Sequence, residues 1–135
     1  MIEKIDHIGI AVNSIDEAVK VYTECLGLKV AAIETVPDQK VRVAVIPIGS
    51  SRIELLESTD PEGPIAKHIK TRGEGLHHIA LEVKNIEEAL AVMENNGVPL
   101  VDKKPRIGAG EAKIAFLHPK ATKALVELTQ PARGS

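Results

Sequence analysis

From Lys4 to Val12 the chain reads KIDHIGIAV, with Ile8, Ile10 and Val12 at one parity and His7, Gly9 and Ala11 at the other. Alternation with period two marks a half-buried strand. A helical period follows over about 14–26, where Ile15, Ala18, Val19, Tyr22 and Leu26 form one apolar stripe. Ser14 with Glu17 predicts a capping box, Asp16 and Glu17 suit the positive end of the helix, and Gly27 predicts its stop. Extended segments are predicted at about 28–35, 41–48 and 52–57, parted by turns at Pro37-Asp38 and Gly49-Ser50-Ser51. The order is strand, helix, three strands.

A joining segment, 58–74, is predicted to hold a short helix that begins near Asp60-Pro61, carries Ile65 and Ile69 and stops at Gly73. The first pattern then recurs. A strand is predicted at about 76–84 and a helix at 86–96, capped by Asn85 with Glu88 in the boxed position and ended by Gly97. Strands at about 99–103, 112–118 and 124–130 complete the second set. The stretch KKPRIGAGE (103–111) is expected to be irregular because of its Gly and Pro residues.

The recurrence is a duplication. Within GLHHIALEVKNIEEAL (75–90), the part HIALEVKNIEEAL moved back by 71 positions lies on HIGIAVNSIDEAV, with His78 on His7, Ile86 on Ile15 and Glu88 on Glu17. RIELLE (52–57) and LVELTQ (125–130) end the two halves with Glu54 and Glu127 in corresponding places. A period of this length is too long for a solenoid repeat. Two strand-helix-three-strand units are therefore expected, about 1–57 and 75–130, within one domain. In each glutamate strand the carboxylate lies opposite the apolar face, and His7 lies opposite Ile8 and Ile10. All four side chains should thus point away from the helices. Gly9 and Ala11 leave space beside His7 that a ligand could fill. His77 has the other parity and is expected to be structural.

Two imidazoles and two carboxylates, with no thiolate, form a plausible first shell for Co, Mn, Ni, Zn or Fe as a divalent ion. Four protein ligands on an ion that accepts six leave two positions for a substrate with two nearby oxygens. An ion holding a carbonyl oxygen acts as a Lewis acid and stabilises an enolate. The chemistry expected is proton abstraction beside a carbonyl.

Composition narrows the partners. A formal charge of -2, one Phe, one Tyr and no Trp leave little for nucleic-acid binding. No apolar run approaches the roughly 18 residues of a membrane helix, and no signal peptide is visible. The single cysteine, Cys25, is expected to be ordinary packing, and with no disulfide framework the expected location is the cytoplasm. Six basic residues (Lys103, Lys104, Arg106, Lys113, Lys120, Lys123) against Glu111 alone make 103–123 a local positive patch.

The stretches DHIGIAV (6–12), VPDQ (36–39), RIELLE, GLHHIALEV (75–83), FLHPK (116–120) and VELTQ (126–130) resemble the vicinal oxygen chelate superfamily, and within it the methylmalonyl-CoA epimerases. The resemblance implies an α+β fold in which two tandem βαβββ units form a cupped, incompletely closed eight-stranded sheet around a metal site. It implies ligation of the metal by His7, Glu54, His78 and Glu127, and interconversion of the 2R and 2S forms of methylmalonyl-CoA. Glu127 would serve as one base. The strand VRVAVIPIG (41–49) holds no acid where some relatives carry a glutamate, which leaves the second proton-transfer group unassigned. Gln39 is a candidate substrate contact and Lys120 a candidate partner for the CoA phosphates. A homodimer is implied by the resemblance alone. Two alternatives share the fold: lactoylglutathione lyase (glyoxalase I), which often has DPDG where this chain has HPKA, and a metal-free binding or resistance protein.

Overall fold

The structure, a computed structural model, describes residues 1–132. In order it forms β1 (Ile2–Ala11), α1 (Ile15–Lys20), β2 (Ala32–Val36), β3 (Val41–Ile48), β4 (Ser51–Ser58), α2 (Pro64–Arg72), β5 (Gly75–Val83), α3 (Ile86–Asn95), β6 (Arg106–Ile107), β7 (Lys113–Phe116), α4 (Pro119–Thr122) and β8 (Val126–Gln130). The strands belong to one eight-stranded sheet in the order β2-β3-β4-β1-β5-β8-β7-β6. The α+β class and the strand-helix-three-strand order are those the sequence predicts. By contacts the chain divides into two compact units, His7–His77 and Met1–Asp6 with the chain from His78 onward.

In the unit His7–His77, β1 runs parallel to β4 with Gly9 opposite Glu54, while β4 pairs antiparallel with β3 and β3 with β2. Val12, Ile15, Ala44, Ile46 and Leu55 form the core under α1, joined by Ala18, Val19 and Tyr22. Ser14 Oγ accepts the Glu17 N–H at 3.2 Å, as the capping box requires. The Ile15 N–H is satisfied from outside the helix, by Glu57 Oε1 at 2.7 Å. That bond ties the start of α1 to the end of β4, and so fixes which face of the strand the helix covers.

The other unit repeats the arrangement. Here β5 runs parallel to β8, β8 pairs antiparallel with β7, and β7 with β6. Val83, Ile86, Ala89, Leu90, Ala115, Leu117 and Leu128 form the core under α3. Asn85 Oδ1 accepts the Glu88 N–H at 3.0 Å, and Gln130 Oε1 accepts the Ile86 N–H at 2.9 Å. Gln130 thus does for α3 what Glu57 does for α1. A second, smaller cluster of Ala112, Ile114 and Phe116, with Leu125 packed on it, lies apart from the helix core.

Several expectations are corrected. The helix predicted to reach residue 26 is α-helical only to Lys20 and continues as a π turn over Val21–Cys25, in which the Leu26 N–H bonds Val21 O at 3.0 Å. The wider turn rotates the stripe out of register, so Leu26 is 60% exposed instead of packed. Cys25, expected in the packing, is exposed for the same reason. The linker helix starts at Pro64, because Asp60 Oδ1 accepts the Glu62 N–H at 2.7 Å and closes a turn ahead of it. The strand predicted at 99–103 reduces to a single bridge, Leu100 with Leu117. The sixth strand instead falls inside the stretch expected to be irregular. There Gly110 takes a φ of +66 and Gly108 N–H bonds Ala112 O at 2.8 Å, so the glycines build the turn that lets β6 pair with β7. The chain after Phe116 forms the short helix α4, with His118 Nδ1 accepting the Lys120 N–H at 3.0 Å. Among the described residues no helix is long and apolar enough to cross a membrane.

Candidate metal centre

Residues directly opposite one another in a pair of strands share a face of the sheet. In the unit His7–His77, Glu54 lies opposite Val45 of β3 and beside Gly9 of β1, whereas Ile53 and Leu55 pack with the helix core. Glu54 therefore stands on the face away from α1, the open face, together with His7. His7 Nε2 is 3.4 Å from Glu54 Oε1, and both side chains are about 5% exposed. The second oxygen, Glu54 Oε2, accepts the Nε–H of Arg52 at 2.9 Å. Arg52 is two residues before Glu54 and so on the same face, a neighbour that alternation alone makes unavoidable once the strand is placed.

The other unit holds the equivalent pair. Glu127 lies opposite Phe116 of β7 and Ala80 of β5, on the face away from Leu128 and the helix core. His78 Nε2 is 3.3 Å from Glu127 Oε1, and both side chains are 5% exposed. The His78 and Phe116 rings meet edge to face, at 5.5 Å between centroids and 85° between planes, which walls one side of the imidazole. The duplication gives Glu127 a different neighbour from that of Glu54. Leu125 occupies the place of Arg52 and packs on the apolar cluster of Ala112, Ile114 and Phe116.

Burying a carboxylate and an imidazole is costly unless something compensates them. Hydrogen-bond partners do part of this, and a cation would do the rest. Two ligand atoms about 2.1 Å from one ion are ~3.0 Å apart at a right angle and ~3.4 Å apart at the tetrahedral angle. The Nε2 to Oε1 separations of 3.4 and 3.3 Å fall within that span. In each unit the histidine and the glutamate are both buried and offer a nitrogen and an oxygen at the spacing of ligands on one ion. Nitrogen and oxygen donors without sulfur suit a borderline or hard divalent ion. On distance, burial and donor chemistry the residues fit a metal.

His77 takes the opposite parity, as expected, and its ring meets His68 of α2 at 4.8 Å, edge to face. Burial, and after it the nearby His68, pushes its pKa down from 6.5 to about 4. Between those two values the unfolded chain binds a proton that the folded chain refuses. His77 therefore makes folding less favourable as pH falls from 6.5 toward 4, and costs nothing above 6.5. At about 1.4 kcal/mol per unit the loss is at most about 3 kcal/mol. We expect His77→Gln to flatten this part of the stability profile, read as urea midpoints at pH 7 and pH 4.5. An equal loss in variant and parent would assign the acid sensitivity to other groups.

Of the substrate contacts expected from the sequence, Gln39 ends a 3-10 turn after β2 and is half-buried, and Lys120 lies exposed on α4. The positive patch is partly neutralised, since Lys113 pairs with Glu87 and Arg106 with Asp102. The sequence reading missed Arg52 beside Glu54, and the ring of Phe116 against His78.

Comparison with known proteins agrees with this picture. A family model described as the Glyoxalase/Bleomycin resistance protein/Dioxygenase superfamily matches residues 6–116. A Bacillus subtilis protein, YqjC, whose description is uncharacterized protein, is 43% identical over 95% of this chain and 92% of its own. An ethylmalonyl-CoA/methylmalonyl-CoA epimerase of Cereibacter sphaeroides is 36% identical over 96% of this chain and 99% of its own. A solved structure of methylmalonyl-CoA epimerase in complex with methylmalonyl-CoA and NH4+ is 34% identical, with a TM-score of 0.94 over 98% of this chain and 97% of that one.

Proposed function

The chain belongs to the glyoxalase/bleomycin resistance protein/dioxygenase superfamily and, within it, to the methylmalonyl-CoA epimerases; from that premise we propose that it interconverts the 2R and 2S forms of methylmalonyl-CoA with a divalent metal held by His7, Glu54, His78 and Glu127. The observation that carries the metal is the pair of buried His–Glu contacts, at matched places in a duplicated unit and at ligand spacing. When bound, such an ion supplies a Lewis acid that polarises a thioester carbonyl and stabilises the charge that develops there.

The residues of the chain do the rest. His7 and His78 offer neutral imidazole nitrogens, and Glu54, pinned by Arg52, offers one carboxylate oxygen. Glu127 takes the hydrogen from the carbon between thioester and carboxylate, and epimerisation is completed when a proton returns to the opposite face of that carbon. The second proton-transfer group is not on β3, whose open-face residues are Val41, Val43, Val45 and Pro47. We assign Gln39 to a substrate contact through its amide and Lys120 to the CoA phosphates. We expect the working assembly to be a homodimer, which sedimentation of the purified protein tests.

Glu54→Ala tests ligation. It should lower metal content sharply and leave the melting temperature of the metal-free protein nearly unchanged, because Glu54 is on the open face and its loss opens no cavity under α1. Equal metal content in variant and parent would remove Glu54 from the shell. The activity itself is tested by loading the protein with Co, Mn, Ni or Zn and following the epimer ratio of methylmalonyl-CoA, with the methylglyoxal–glutathione adduct as the competing substrate. Turnover of the adduct without epimerisation would replace this reading by that of a lactoylglutathione lyase.

A further inference from the structure

We propose that Arg106 reads the free carboxylate of the substrate and so selects a malonyl thioester over a simple acyl thioester; the proposal rests on the epimerase reading above. Arg106 pairs with Ile114, Ile114 with Thr129, and Phe116 with Glu127. Opposite residues share a face, so Arg106, Ile114, Phe116, Glu127 and Thr129 all stand on the open face. Its guanidinium carbon lies over the Phe116 ring, 5.7 Å from the centroid. The same ring meets His78 at 5.5 Å. One aromatic ring therefore separates a fixed cation from a proposed metal ligand.

The cation is aimed. Asp102 Oδ2 accepts the Phe116 N–H at 2.9 Å, and Asp102 Oδ1 is 3.5 Å from Arg106 Nε. The carboxylate thus ties the arginine to the strand that carries the ring. It engages the Nε edge of the guanidinium, and the terminal amino groups remain to present the forked, two-point geometry that suits a carboxylate. The Arg106 side chain is 46% exposed, so it reaches solvent while its stem lies on the ring. An ion pair so exposed contributes little to stability.

Position separates the two anions a malonyl-CoA thioester offers. Its free carboxylate is bonded to the carbon at which the proton moves, beside His78 and Glu127. Its phosphates lie at the far end of the pantetheine arm. A cation one ring away from His78 matches the first, whereas Lys120 on α4 is the candidate for the second.

The test is equilibrium binding of methylmalonyl-CoA and of propionyl-CoA, which lacks the carboxylate, to metal-loaded parent, Arg106→Gln and Arg106→Lys. We expect Arg106→Gln to weaken methylmalonyl-CoA binding about 10- to 100-fold, the range for losing a hydrogen bond to a charged group. Propionyl-CoA binding should change less than about twofold, since no carboxylate meets Arg106 there. Arg106→Lys should recover part of the loss. Equal weakening for both thioesters would overturn the proposal and place Arg106 on the CoA portion or in the fold. No change for either would leave it the partner of Asp102 only. Parent protein that binds methylmalonyl-CoA no better than propionyl-CoA would instead reject the epimerase reading, and the assignment of Arg106 with it.

Discussion

Glu127→Gln will keep part of its metal and lose most of its ability to move the α-proton. The amide retains an oxygen donor and the shape of the side chain, but it cannot accept a proton at ordinary pH. Loss of a general base costs about 10² to 10⁴ in rate. The chain itself gives the reason to choose Glu127 over its repeat partner. Glu54 Oε2 accepts the Arg52 Nε–H at 2.9 Å, so one of its two oxygens is already committed to the guanidinium. At the corresponding place before Glu127 stands Leu125, packed in an apolar cluster. Two carboxylates equal by descent thus have different neighbours two residues before them, a guanidinium that holds one oxygen of Glu54 and an apolar side chain before Glu127. The measurement is to incubate metal-loaded variant with one epimer in heavy water and follow both deuterium uptake and epimer ratio. Rates near those of the parent would leave Glu127 a ligand only. Deuterium uptake without inversion would show that one face still works and that Glu127 serves the other.

The parts of the fold legible in the sequence are those set by short-range rules. Ser14 with Glu17, and Asn85 with Glu88, start the helices where a capping box predicts. Period-two alternation put His7, Glu54 and Glu127 on the faces they occupy, because the apolar neighbours of each had to meet a helix. The parts that were missed depend on partners distant in sequence. Nothing in KKPRIGAGE marks Arg106 and Ile107 as a strand; they become one only because β7 offers its edge to them. The helix-tying roles of Glu57 and Gln130 reach 42 and 44 residues along the chain and leave no local pattern. The π turn at Val21–Cys25 keeps a helical composition while shifting the stripe, so Leu26 reads as core and lies in solvent. At the candidate site the residue types were readable from the repeat. The Arg52 contact and the Phe116 wall were not, since each depends on which side chains the register places together.

The opposite face of β8 should respond in the opposite way. Leu128, the neighbour of Glu127, is 2% exposed and packs with Val83, Ile86, Ala89, Leu90, Ala115 and Leu117 under α3. Truncation to alanine removes three buried carbons from a core that α3 and two strands hold in place, so the space closes only in part. Leu→Ala changes in such settings cost about 2 to 5 kcal/mol. For a chain of this size a loss of about 3 kcal/mol lowers the melting temperature by ~10 °C. The open face is untouched by the change, since His78, Glu127 and Phe116 point away from the cluster. Leu128→Ala should therefore melt well below the parent yet, at a temperature where it is folded, hold the same metal and exchange the α-hydrogen at a similar rate. Glu127→Gln should show the reverse, parent-like melting without its metal and slow exchange. A Leu128→Ala protein that melts like the parent but has lost metal or exchange would mean that β8 turns its other face to the site, and the placement of Glu127 would fall with it.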